Sequence, residues 1–241
     1  MLLLLAIAFP LSTSIGPVDA ALDKADAPNT LRAAFTIELA SQSAVRIFDY
    51  DPRLPEAERW LLISATGEDS DLDAVAANWG AETSPDGRLF PDDLRASLGD
   101  EVNAEDLGAA WRINFRHVPS INDGKYDIWA AERMRASAWL DPVADRIVRI
   151  DYTLPRPVKG PDGGKIRRYD QSYYLETEPR FGMSFVSAFT IDLEARAALK
   201  VFRRSYSARV LQAEFFFANK AAEEAFVEMR QIGTGENPLA R

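Results

Sequence analysis

The strongest constraint on this chain is an alternation of period two that recurs along most of its length. Phe35, Ile37 and Leu39 alternate with Thr36 and Glu38. Trp111, Ile113, Phe115 and His117 alternate with Arg112, Asn114 and Arg116. Val148, Ile150, Tyr152 and Leu154 alternate with Arg149, Asp151 and Thr153. Successive side chains of a strand point to opposite faces, so these runs read as half-buried strands. Further strands are expected over 45–50, 126–140 (one long strand, or two with a bend), 166–175, 185–193, 197–204 and 205–217. Trp60-Leu61-Leu62-Ile63 is apolar at every position and reads as a central strand covered on both faces. Turns are expected at Asp51-Pro52, Asn122-Asp123-Gly124, Asp141-Pro142 and 160–164.

The stretch 68–108 breaks the pattern, with Asp, Ala and Gly in place of β-branched residues. Ser70 or Asp71 can cap a helix that runs to Trp79, with Leu72, Val75, Ala76 and Trp79 on one face. Pro91 suits the first turn of a second short helix, with Leu94 and Leu98 inward and Gly99 as its stop. Asn219 can cap a last amphipathic helix through Phe226 and Met229.

This reading gives about eight to eleven strands and two or three short helices, where sheets commonly have roughly four to six strands. A sheet of that size must curl or split. Meandering strands without a βαβ rhythm argue for antiparallel pairing. The expected fold is mainly β (α+β), a strongly curved antiparallel sheet or half-barrel with short helices as a lid on its concave face. One domain over 31–232 accommodates it, with a flexible segment over 21–30 and a polar tail over 233–241.

The first residues, Met1-Leu-Leu-Leu-Leu-Ala-Ile-Ala-Phe-Pro10, with Val18-Asp19-Ala20 downstream, have the form of a signal-peptide core and a small-x-small cleavage site. No Lys or Arg precedes the Leu run. The apolar stretch is shorter than the about 20 residues a membrane span needs. The expectation is export, cleavage near Ala20, and a periplasmic or secreted protein without a stable membrane anchor.

Composition removes several chemistries. There is no cysteine, hence no disulfide, thiolate metal site, cysteine nucleophile or lipid-modified cysteine. One histidine cannot build a site that needs two imidazoles. The formal net charge of -9 argues against nucleic acid, which needs a basic footprint. Asp69-x-Asp71-x-Asp73 opens like a calcium loop, but Ala74 and Gly80 stand where that loop needs Gly and Glu. Gly160-Pro-Asp-Gly-Gly-Lys165 is one residue short of a phosphate loop and reads as a hairpin turn. His117 has no Gly-x-Ser-x-Gly partner, and Glu132, Asp151, Asp170 and Glu194 read as solvated strand carboxylates. No catalytic residue, metal or cofactor is expected.

What remains is the aromatic content of five Trp, thirteen Phe and seven Tyr, many of them on one face by parity. Such a face either fills a core or lines an apolar cavity. The cavity candidates are Phe35, Ile37, Trp111, Phe115, Val148, Ile150, Tyr152, Phe185 and Phe189. Leu72, Val75, Trp79, Leu94 and Leu98 are the lid candidates.

With its meander, its interrupting helices and the hairpin Trp139-Leu-Asp-Pro…Asp-Arg-Ile-Val-Arg-Ile150, the chain resembles the periplasmic lipoprotein carrier (LolA-like) superfamily over roughly 31–217. The resemblance implies a curved half-barrel lidded by helices, with acyl chains sheltered between them. That family opens its mature chain with a substantial helix, and the short, Pro-containing 21–30 is not expected to supply one. The functional expectation is a binding or carrier protein, not an enzyme, for an apolar or acylated ligand (lipid or lipoprotein). The alternatives are an envelope scaffold or assembly factor with a filled core and an envelope protein partner, then a carboxylate-dependent hydrolase.

Overall fold

A computed structural model describes residues 16–91, 94–98, 102–119, 125–197 and 200–233. The Leu-rich start, the turn at 122–124 and the tail beyond Gly233 lie outside them. The strands are β1 (Leu31–Ala40), β2 (Ala44–Tyr50), β3 (Trp60–Gly67), β4 (Val102–Asp106), β5 (Trp111–Phe115), β6 (Arg135–Asp141), β7 (Arg146–Thr153), β8 (Val158–Lys159), β9 (Lys165–Thr177), β10 (Ser184–Ala197) and β11 (Lys200–Phe217). They form one antiparallel sheet in the order β3-β2-β1-β11-β10-β9-β7-β6-β5-β4, with β8 on β9. The sheet is curved and does not close, so β3 and β4 are its edges.

Among the described residues, five helices accompany it: α1 (Gly16–Ala25), α2 (Ser70–Gly80), α3 (Leu94–Leu98), α4 (Lys125–Arg133) and α5 (Lys220–Gly233). A 3-10 turn spans Pro85–Leu89. Two large cores form on one face of the sheet. In the first, α2, the 3-10 turn and α5 cover β1, β2, β10 and β11 around Phe35, Ile37, Leu39, Trp79 and Phe189. In the second, α1 and α3 cover β5, β6 and β7 around Ile113, Phe115, Leu140, Ile147 and Ile150. A small third cluster sets Trp129 and Met134 against Leu154. The opposite face mixes charged and polar side chains with aromatics such as Trp139, Tyr174 and Phe216. There Asp151 accepts bonds from Trp139 Nε1 (2.9 Å), Ser172 Oγ (2.6 Å) and Arg149 Nε (2.8 Å).

Helix α2 follows its sequence pattern closely. Leu72, Val75, Ala76 and Trp79 are its buried residues. The cap lies one residue before the expected pair: Asp69 Oδ1 accepts from the Asp71 and Leu72 amides, each at 3.0 Å. Hydrogen bonds from Ser41 and the cap amides hold the Asp69 carboxyl below its ordinary pKa. The Asp run is thus helix-end chemistry. The largely buried Arg46 ties this helix to the sheet, donating to Asp73 (2.8 Å) and to the Thr66 carbonyl (2.8 Å). Gly67 is obligatory at the end of β3: its φ is +69°, and an added Cβ would sit 1.9 Å from the Ser43 carbonyl oxygen.

Several expectations need correction. Residues 125–133 are helical, not strand. Their Lys, Ala and Glu content favours helix, in which Trp129 and Ala131 are buried and Glu132 and Arg133 exposed. The expected break at 204/205 is absent, because β11 pairs continuously with β10 along that stretch. Trp60-Leu61-Leu62-Ile63 opens an edge strand, with Leu61, Leu62 and Ile63 exposed by 58%, 49% and 52%. A short apolar run shows hydrophobicity but not its place in the sheet. Val148 is not on the inward row. A bulge pairs Trp139 with Arg149 and Leu140 with Ile147, so Val148 is skipped and Ile147 is buried instead. Ala21–Ala25 is not a flexible leader, since α1 buries Val18, Ala21, Leu22 and Ala25 in the second core. The last helix forms as α5, where Phe226 packs on Phe217 and Phe181 and Met229 is 66% exposed.

Candidate functional site

Tyr173 packs against both large cores, and beside them part of the concave face is left unfilled. A cavity of about 860 Å³ lies over β7, β9, β10 and β11. Its size falls within the roughly 300–1,000 Å³ of small-molecule sites. The floor is built by strand parity, shifted by one irregularity each in β9 and β10: Ile150 and Tyr152 from β7; Ile166, Tyr169, Gln171 and Tyr173 from β9; Val186, Phe189, Ile191, Leu193 and Ala195 from β10; and Tyr206 from β11. The cover has two sides. One carries Glu82, Ser84, Gly87, Arg88, Phe90, Pro91, Leu94 and Ser97. The other carries Trp129, Ala130 and Ala131 of α4, Met134 just after it and the turn at 160–164.

An aromatic ladder runs across the concave face and ties floor to core. Phe115 meets Tyr152 edge-on at 6.4 Å, and Tyr152 meets Tyr173 edge-on at 6.1 Å. Tyr173 stacks on Phe189 at 5.8 Å, and Phe189 stacks on Trp79 at 5.8 Å. Trp79 then reaches Trp60 at 6.2 Å. Offset and edge-on rings attract each other beyond their burial, which stiffens this floor.

Polar groups interrupt the apolar lining. Tyr173 Oη donates to Gln171 Oε1 (3.4 Å), and Gln171 Nε2 donates to the Tyr169 hydroxyl. The Tyr152 hydroxyl lies 3.5 Å from His117 Nδ1. Arg88 Nε donates to both carboxylate oxygens of Glu82 at 2.9 Å, and its guanidinium lies over the Trp79 ring. Burial works against the Arg88 charge, but the Glu82 carboxylate outweighs it and holds the pKa above its ordinary value. Burial pushes the Tyr206 phenol up, against the smaller opposing pull of Arg88.

The candidates named from sequence divide between filled core and cavity. Ile150, Tyr152, Phe189 and Leu94 line the cavity. Phe35, Ile37 and Phe185 pack in or against the first core, Trp111 and Phe115 in or against the second. Leu72, Val75 and Trp79 fill the first core and Leu98 the second. Helix α2 is therefore a plug, and the cavity cover comes from 82–91, from Leu94 and Ser97 of α3, and from α4 with Met134. Val148 reaches neither cavity nor core.

The lining also includes residues that sequence reasoning missed. Tyr169, Gln171 and Tyr173 alternate with Arg168, Asp170 and Ser172, and polarity on both faces masks that row. Trp129 and Met134 were hidden by reading 126–140 as strand.

The candidate carboxylates lie away from the lining, each beside an arginine: Glu132 with Arg133, Asp151 with Arg149, Asp170 with Arg168, and Glu194 with Arg167 and Arg203. Among the described residues, no cluster of three or more His, Asp or Glu side chains is placed to hold a metal ion. No described helix is long and apolar enough to cross a membrane. The chain matches no known family model, no curated protein and no solved structure.

Proposed function

We propose that this protein is an exported binding or carrier protein for an apolar or acylated ligand in the cell envelope. The observation that carries the reading is the cavity of about 860 Å³ between sheet and helical cover. The likeness to periplasmic lipoprotein carriers belongs to the same proposal. It is supported by the open curved sheet, by helices on its concave face and by an opening helix, α1. Loading and release would require the cover to move, a shift between closed and open populations.

The test uses N-phenylnaphthylamine, an uncharged apolar dye whose fluorescence rises when it leaves water. Purified protein should bind it saturably. Ala195→Trp, which places an indole into the space beside Ile166, should abolish saturation while leaving the unfolding midpoint within a few degrees. Unsaturable dye fluorescence with the wild-type chain would refute the proposal.

Export carries a prediction about processing. A cut near Ala20 would remove the buried Val18 and also Asp19, which accepts from Arg95 at 2.9 Å. Keeping α1 whole requires any cleavage to fall before Gly16. Intact mass of the exported protein should place its N-terminus at or before Gly16, and a start at Ala21 would contradict this.

One observation favours the second reading, a scaffold that acts through its surface. The β3 edge exposes Leu61, Leu62 and Ile63 and carries no charge, whereas edges are commonly protected by charged residues or proline. A partner recovered from the envelope whose binding is lost in Leu61→Lys, together with absent dye binding, would select that reading.

A further inference from the structure

Resting on the carrier proposal, we infer that the cavity selects an uncharged acyl ester over a free fatty acid, with the ester carbonyl docked on the Tyr206 hydroxyl. Two independent features of the lining lead there. The first is charge. Arg88 is engaged on both oxygens of Glu82, and Asp162 receives Lys125 at 2.8 Å. Arg196 sits exposed at the rim. Among the described residues, a carboxylate drawn into this space gives up its hydration and meets only cations that already have partners. An ester brings the same tail without that cost.

The second feature is a donor. Tyr206 lines the cavity from β11, its ring set edge-on against Phe189 at 5.9 Å. Its hydroxyl has no hydrogen-bond partner among the described residues. A phenol donates one proton, and a carbonyl oxygen is the acceptor an ester offers. From Tyr206, β9 lies two strands away, roughly 10 Å across the floor. Gln171 stands opposite Tyr206 there, and Ile166, with Trp129 of α4 and Met134 above it, lies five residues farther along β9, roughly 15–20 Å from Tyr206, where it supplies the apolar end for a tail. The site thus has a donor end and an apolar end in the order an acyl ester presents them.

Displacement of N-phenylnaphthylamine by 1-monolaurin and by laurate at pH 8 tests this, because the two share a tail and differ in charge. Monolaurin should displace the dye at about one-tenth of the laurate concentration or less. Tyr206→Phe, which keeps the ring and removes the hydroxyl, should weaken monolaurin about fivefold more than it weakens the dye, the worth of one hydrogen bond. Laurate binding as tightly as monolaurin would overturn the inference, and so would a Tyr206→Phe variant with unaltered monolaurin affinity. Either outcome would leave the carrier proposal standing as long as the dye saturates. Dye that never saturates would remove that proposal and this inference together.

Discussion

Trp79→Ala should be among the most damaging single truncations in this protein, costing about 3–5 kcal/mol. The indole is only 2% exposed. It stacks on Phe189 at 5.8 Å, faces Trp60 at 6.2 Å and carries the Arg88 guanidinium at 4.7 Å from its centroid. Truncation removes those contacts and opens a void beside the cavity floor that neighbouring strands cannot collapse to fill. In a chain of this length the melting temperature should drop by on the order of 10 °C. Val143→Ala, at a side chain 92% exposed, should change stability by less than about 0.5 kcal/mol. Urea unfolding of both variants checks the contrast, and a Trp79→Ala midpoint within error of wild type would mean that α2 does not plug the first core. The same truncation should weaken dye binding, because Arg88 loses its platform and Glu82 moves with it.

Arg32→Ala should cost a similar amount, about 3–5 kcal/mol, for an electrostatic reason. Asp86 is 1% exposed, and Arg32 grips it through Nε (2.6 Å) and Nη2 (3.0 Å). The Ala33 amide (3.2 Å) and Tyr50 hydroxyl (3.5 Å) complete its shell. Removing the guanidinium leaves a carboxylate buried beside neutral donors only. Asp86→Asn should cost less, because an amide in that place needs no counter-charge. The pair anchors the 3-10 turn at Pro85–Leu89, and with it the Arg88 side of the cavity cover, to β1. Both variants should therefore lower dye affinity as well as the unfolding midpoint. Equal unfolding midpoints for Arg32→Ala and Asp86→Asn would show that the buried charge is not what matters there.

Much of the fold was legible because strand periodicity is a local property. Alternation alone placed Phe35, Phe115, Tyr152 and Phe189 on the concave face. The 3.6-residue spacing of Leu72, Val75, Ala76 and Trp79 gave α2 and its buried stripe. The cavity was less legible. Of the nine residues proposed to line it, Ile150, Tyr152 and Phe189 do so, and Phe35, Ile37, Trp111, Phe115 and Phe185 belong to filled regions. Parity tells which face a side chain shares, but not whether a helix rests on it. The Asp86–Arg32 pair was invisible for a related reason: its partners are far apart in the chain, and only the approach of the 3-10 turn to β1 joins them.

By itself the sequence determined a large antiparallel sheet with one aromatic face, the helix interrupting it at 70–80, and the exclusion of thiol and paired-imidazole chemistry. Those follow from side-chain identity and spacing, which act over a few residues. Tertiary structure decided that β3 is an edge, that 125–133 coils into a helix over β9, and that one bulge moves Ile147 inward in place of Val148. It also decided where the concave face is plugged and where it is empty. Filling depends on the curvature accumulated across many strands and on which helices can reach the floor. No local pattern encodes that distance.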